Sequence, residues 1–349
     1  MRHNNDHYEL LVSCLTGTPA VPASGWDWDQ TVAVAAREDV LPALYGRLEA
    51  PAEVSDFLEA VHELNRERNQ QLLDEIEQHA CLLNQAGIEP VLLKGSAYLV
   101  SGAYGASERL LRDIDLLIDL TQSQKAFELI QASGYEPYIP NPAALVMHHH
   151  PALARVHRVP VEIHYRLGLG LCGTFLPASE IIASSSRVTL GQAVVRIPAP
   201  EHQVIHLILH SQVHHGPHGR IWPSLRAMHD LVLLSRHYRL DWESIRARFR
   251  AHRKEFLLNL HLLQVEKAMR VAPPFAISAN GPRWWYRQAL WTEPRLRYID
   301  PAYTFSRMIS PKIKLVQRLL RLPIGRKYIL LSPFRRSFYK RFLDEIFQG

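Results

Sequence analysis

Residues 92–120 read LLKGSAYLVSGAYGASERLLRDIDLLIDL, and the fold turns on how that stretch divides. Its beginning carries the apolar run IEPVLL into Lys94-Gly95-Ser96, the pattern of a short strand closed by a turn. Ser96 is placed to cap a helix running through Ala97, Tyr98, Leu99 and Val100. Its end, RDIDLLIDL, reads as a second strand. Side chains on a strand alternate faces, so Asp113 and Asp115 share one face while Ile114 and Leu116 take the face toward the core. Two carboxylates that close repel each other unless positive charge lies between them. A hard divalent cation, Mg²⁺ or Mn²⁺, removes the conflict, because Mg²⁺ takes carboxylate oxygens and shares its other positions with water and phosphate. The helix opened by the Gly-Ser turn presents free backbone N–H groups to an anion.

Working outward, the hydrophobic period changes twice. EDVLPALYGRLEA and VSDFLEAVHELNRERNQQLLDEIEQHACLLNQAG carry apolar residues at three- and four-residue spacing, with Gly87 at a helix C-terminus. TQSQKAFELIQASGY is a helix with Thr121 and Gln124 in capping-box spacing and Gly134 at its end. HHHPALARVHR and VPVEIHYRL are strand-like, the second alternating at Val161, Ile163 and Tyr165. Glu162 therefore faces away from Val161 and Ile163 and supplies a third carboxylate on a neighbouring strand. From Pro200 onward PEHQVIHLILHSQVHH, WPSLRAMHDLVLLSRHY and DWESIRARFR are helical again. The predicted class is α+β, a small mixed-sheet core at 81–198 between an N-terminal helical region at 1–80 and a C-terminal helical lobe at 199–280, followed by a basic helical tail at 281–349.

The bulk composition agrees with a folded chain of two or three units: 349 residues, 47% hydrophobic and 21% charged. No run of about 18 apolar residues predicts a membrane span, and MRHNNDHYELLVSCLTG lacks the basic start and apolar stretch of a signal peptide. Cys14, Cys81 and Cys172 form neither a disulfide framework nor a CxxC knuckle, so a reducing, cytoplasmic setting is expected. The net charge of +6 is uneven, with 15 Lys/Arg against 4 Asp/Glu from Gly281 to Gly349. A tail so basic points to an acidic partner such as an acidic peptide, RNA or a membrane surface, or else to a solvated basic face.

Gly95-Ser96, the Asp113-Ile114-Asp115 triplet and a strand-borne acid resemble the nucleotidyltransferase superfamily typified by DNA polymerase β. LLKGSAYL, the arginine before DIDLLID, VEIHYRL, HLILH and WPSLRAMHDLVLLSRHYRLDW together resemble a bacterial family of uncharacterised nucleotidyltransferases, over about residues 85–250. The resemblance implies a polymerase-β-like core in which Asp113, Asp115 and Glu162 hold metal and act in catalysis. Glu162 stands where Asp is commoner. It further implies that Gly95 and Ser96 hold the β- and γ-phosphates of a nucleoside triphosphate, with Lys94 or Arg109 adding charge and Arg112 offsetting charge in the transition state. His164, two residues after Glu162, orients that carboxylate or touches phosphate, a buried structural imidazole being the alternative. The implied activity moves a nucleoside monophosphate to an acceptor hydroxyl or phosphate on a peptide, small molecule or RNA, releasing pyrophosphate. A catalytically weak nucleotide- or partner-binding module, an antitoxin or accessory subunit, is the competing reading.

The 19 histidines form no HExxH pattern. His206 and His210 share a helix face, and His210 with Asp230 is expected to fix the lobe against the core. His148-His149-His150 is read as loop and strand edge, and Asp119 as a helix-start residue.

Overall fold

The computed structural model describes residues 2–18, 22, 24–138, 148–168, 171–214 and 224–277. The expected tail at 281–349 lies outside them. Before the sheet come α1 (Arg2–Thr16), α2 (Trp28–Arg37), a short 3₁₀ turn at Leu41–Leu44 and the long α3 (Ala52–Gln85). The prolines divide what the periodicity joins. Pro42 sits in the first turn of the 3₁₀ segment and Pro51 immediately precedes α3, positions where a missing N–H costs nothing. Leu72, Ile76, Ala80 and Leu83 make the buried stripe of α3, at the spacing of one helix face.

Seven strands form one sheet in the order β3-β4-β5-β2-β1-β7-β6. They are β1 (Val91–Leu92), β2 (Ile114–Leu117), β3 (Glu136–Tyr138), β4 (Ala152–Ala154), β5 (Val161–His164), β6 (Ser186–Leu190) and β7 (Ala193–Ile197). The sheet is mixed, as predicted: β2 runs parallel to β5 and β1 to β7, while β1–β2, β3–β4, β4–β5 and β6–β7 are antiparallel. Every residue of β2 is buried, which explains a near-continuous apolar run interrupted only by Asp115. The β6–β7 hairpin was not anticipated, although SRVTLGQAVVRI holds its signal in the two-residue turn Gly191-Gln192. Gly191 has φ +57°, the left-handed region that favours glycine, in a turn whose Gln192 N–H donates to the Glu77 carboxylate of α3.

The remaining helices are α4 (Lys94–Val100), α5 (Leu120–Ala132), α6 (Leu171–Phe175), α7 (Ala178–Ser184), α8 (Pro200–Leu209), α9 (Leu225–His237), α10 (Trp242–Ala251) and α11 (Glu255–Met269). Helix starts differ in detail from the sequence reading. Ser96 lies inside α4, whose N-cap position is Leu93, so it does not act as the cap. Asp119 accepts from the Thr121 N–H at 2.9 Å and caps α5. None of the described helices is long and apolar enough to cross a membrane.

A buried ion pair, Arg109 with Asp230, joins the helical lobe to the segment between β1 and β2, and Arg248 of α10 pairs with Glu180 of α7. Asn65 and Asn69 on α3 donate to the carbonyls of Ser107 (2.7 Å) and Ala106 (2.6 Å), and Asn69 also to that of Arg109 (2.9 Å). Arg68 donates to the Leu111 carbonyl. These bonds fix the irregular 101–113 segment and deliver Arg109 to Asp230 on α9. There its Nη2 and Nε reach the two carboxylate oxygens at 3.0 and 3.3 Å. Tyr104 donates its hydroxyl to the same carboxylate, and the guanidinium lies 5.5 Å from the ring centres of both Tyr98 and Tyr104. Burial pushes the Asp230 carboxyl up, but Arg109 outweighs it and holds the group below the ordinary range.

Gly95 packs against the back of this pair. A Cβ at residue 95 would meet Arg109 Nη1 and Leu111 Cδ2, each at 2.1 Å. Gly95→Ala should therefore cost about 1–3 kcal/mol through overpacking. Denaturant unfolding measures it, and a change within about 0.5 kcal/mol would show that Arg109 can move aside freely.

Candidate active site

The strand register builds the site. In the parallel β2–β5 pair, Asp115 stands directly opposite Glu162 and Leu117 opposite His164. The antiparallel β1–β2 register then carries the chain to Lys94, with the Leu93 N–H bonded to the Asp115 carbonyl at 3.0 Å. Lys94 has φ +48°, a left-handed conformation costing of order 1 kcal/mol in a residue with a Cβ. In that conformation its Nζ donates to Asp115 Oδ1 at 2.8 Å.

His164 Nε2 lies 2.7 Å from the same Asp115 oxygen and 3.3 Å from Glu162 Oε2. Carboxylates only accept, so this nitrogen carries the proton and links the two acids. His164 is itself 1% exposed, so these contacts fit both an orienting group and a buried structural imidazole. Ligand atoms of Asp115, Glu162 and His164 all lie within 4.8 Å of one another. Asp115 is 2% exposed. Burial raises its pKa, yet Lys94 and His164 prevail and keep the carboxyl well below the usual range. Glu162 is likewise ionised, its burial offset chiefly by the His164 bond.

Asp113 behaves in the opposite way. It is half-buried, and the neighbouring Asp115 charge, followed by burial, pushes its pKa up to about 6. The raised pKa is a response to nearby negative charge, which is the environment a divalent cation neutralises. As oxygen donors the three carboxylates suit a hard cation, but only Asp115 and Glu162 belong, with His164, to the group whose ligand atoms lie within 4.8 Å of one another. Because the folded-state pKa is raised from 3.8, the fold loses stability as pH rises from about 4 to 6. Asp113→Asn should raise metal-free stability at pH 7.5 by about 1–3 kcal/mol. Denaturant melts in chelator test this, and a variant no more stable than the parent would refute the electrostatic reading.

The other predicted binding residues are distributed differently. Ser96 is buried two residues from Lys94, its hydroxyl without a hydrogen-bond partner among the described residues. Arg109 is engaged by Asp230, behind Gly95. Arg112, with 65% of its side chain exposed, pairs with Asp39, which also binds Arg226 of α9 at 3.0 Å. His149 was not assigned to the site by its sequence. It forms an isolated bridge with His164, and its Nε2 lies 3.9 Å from Glu162 Oε2. The only signal for it was the His148-His149-His150 run preceding a strand.

The site is therefore a pair of carboxylates on adjacent parallel strands, faced by a lysine and a histidine. The model of the uncharacterised nucleotidyltransferase family matches residues 24–269, and the chain belongs to that family. The match takes in α2, α3, the whole sheet and the helical lobe. No curated protein matches the chain.

Proposed function

We propose that this protein is a metal-dependent transferase that moves a nucleoside monophosphate from a nucleoside triphosphate to an acceptor hydroxyl or phosphate. The observation that carries the reading is the alignment of Asp115 with Glu162 across β2 and β5, with Lys94 Nζ 2.8 Å from Asp115. Asp113, Asp115 and Glu162 would hold the divalent ion, Mg²⁺ or Mn²⁺. When bound, it supplies Lewis-acid charge to the phosphate oxygens.

The chain's own groups do the rest. Lys94 holds Asp115 ionised and contributes fixed positive charge where phosphate oxygens gain negative charge. Glu162, ionised and tethered by His164, accepts the acceptor's proton at a carboxylate oxygen. The acceptor oxygen forms its bond to the α-phosphorus as the bond to the β-phosphate bridge breaks, and pyrophosphate leaves. Ser96, through its buried unpartnered hydroxyl, donates to a phosphate oxygen. Peptide, small molecule and RNA are the acceptor classes, and a cytoplasmic, reducing location suits the three unpaired cysteines.

A second reading, a weakly catalytic nucleotide-binding module, is favoured by one feature: Arg109 and Arg112 are both committed to carboxylates outside the site. Pyrophosphate release from each nucleoside triphosphate with Mg²⁺ or Mn²⁺, offered acidic peptide, RNA and cell extract, separates the two. Release that disappears in Asp113→Asn/Asp115→Asn supports transfer. Nucleotide binding without release under any condition supports the module.

A further inference from the structure

We propose that Arg68 of α3 binds a phosphate of the nucleoside triphosphate, supplying the arginine that Arg109 and Arg112 do not. The inference rests on the transferase reading above and adds to it a substrate-binding residue from the N-terminal helical region.

Four arginines lie on or beside the segments that lead into β2 and β5, and three of them are matched. Arg109 pairs with Asp230, Arg112 with Asp39 and Arg158 with Glu75. Arg68 is half-buried and is paired with no carboxylate among the described residues; its guanidinium bonds through Nη1 to the Leu111 carbonyl. That bond fixes where the side chain ends. Leu111 is two residues before Asp113, and an extended chain advances about 3.3–3.6 Å per residue, so the guanidinium lies within roughly 10 Å of the Asp113 backbone.

The surroundings leave this cation short of negative charge. Burial and then the like charge of Arg112 push the guanidinium below its usual range, while Asp113 and Glu75 oppose them. Glu75 is already engaged by Arg158, the Tyr135 hydroxyl and the Val159 N–H. Arginine keeps its proton in proteins, so Arg68 meets a second cation without a bonded counter-charge. With Nη1 on the carbonyl, Nε–H and the Nη2 N–H groups remain, the side-on fork that grips phosphate through two parallel bonds. Asn65 and Asn69 bond the same segment at Ser107, Ala106 and Arg109, so the fork stands between two elements fixed to each other. Of the two substrates only the triphosphate is an anion whatever the acceptor, an acceptor hydroxyl being neutral. The triphosphate is therefore the substrate that meets this charge.

The test titrates the full chain with inorganic tripolyphosphate and Mg²⁺, a probe that needs no choice of base. Arg68→Gln keeps an N–H donor for the Leu111 carbonyl and loses the charge. Its affinity should fall about 10- to 100-fold, with the unfolding midpoint unchanged and Mn²⁺ affinity not reduced. Arg68→Lys, which keeps the cation without the fork, should fall less. Affinity in Arg68→Gln within about twofold of wild type overturns the inference, as does a wild-type chain that binds no tripolyphosphate. A loss that comes with a lower unfolding midpoint and is equally severe in Arg68→Lys marks a strut for the Leu111 carbonyl and overturns it too. Should Arg68→Gln not fold, Arg68→Lys decides: several-fold weaker tripolyphosphate binding at unreduced Mn²⁺ affinity supports the role, and wild-type affinity refutes it. Nucleotide turnover in Arg68→Gln at the wild-type KM would sink this residue and leave the transferase standing. A charge-dependent loss of tripolyphosphate binding in a chain that never releases pyrophosphate would keep the residue and sink the transfer.

Discussion

Asp115→Asn is expected to lower metal-dependent pyrophosphate release by about a hundred- to a thousandfold. One oxygen of this carboxylate accepts from Lys94 Nζ at 2.8 Å and from His164 Nε2 at 2.7 Å. An amide oxygen has lone pairs for both bonds but lacks the charge that both donors are matched to. If the amide turns its NH₂ toward Lys94, two donors face each other, at the cost of an unmet buried group. The substitution also has a reach beyond residue 115. Asp115 is the largest cause of the raised pKa of Asp113, so in the variant Asp113 titrates nearer the ordinary value of 3.8. The stability gained by acidifying the metal-free parent from pH 6 to 4 should then shrink in Asp115→Asn. Activity assays and pH-dependent melts read the two effects separately. Transfer within about tenfold of the parent would remove Asp115 from the reaction.

Asp230→Ala is expected to cost about 3–5 kcal/mol. Among the described residues Asp230 is the only carboxylate bonded to Arg109; it receives the Tyr104 hydroxyl, and it is 2% exposed. Removing it leaves a guanidinium between two tyrosine rings with no counter-charge. The cost is that of an uncompensated buried cation, so Arg109→Met/Asp230→Leu, which removes both charges, should recover much of the loss. Denaturant midpoints at pH 7 measure the series. Because the Asp230 pKa is depressed, the pair contributes fully above about pH 4 and is lost as pH falls below that range. A loss below about 1 kcal/mol for the single variant would refute the claim that this pair holds the lobe to the sheet domain.

The candidate site was partly legible in the chain. Strand parity put Asp113 and Asp115 on one face, and the alternation of VEIH put Glu162 on its own strand's polar face, because the period of two is a local property of any strand. The resemblance carried by LLKGS, DIDLLID and VEIH named these same residues. The positively charged groups were less legible. Lys94 reaches the site, but Arg109 and Arg112, equally suited to phosphate in a linear reading, are drawn to Asp230 and Asp39. An arginine's destination depends on which carboxylate the fold brings near it, and these partners are 121 and 73 positions away. Gly95 illustrates the same limit. Its lack of a side chain reads as room for a phosphate, whereas the packing shows it also makes room for Arg109 and Leu111.

By itself the sequence determined the mixed α+β class, the placing of Asp113 and Asp115 two residues apart at the start of β2 and the place of a third acid on β5. All of these follow from side-chain period and turn chemistry within some ten residues. Tertiary structure alone decided that β5 lies beside β2 in the register that sets Glu162 opposite Asp115, and that β6 and β7 extend the sheet. It also brought His149 to the edge of Glu162 and sent Arg109 away to α9. The reason is physical: local sequence fixes which way a side chain points, but the charge it meets is set by strand order and helix docking, which depend on the burial of the whole core.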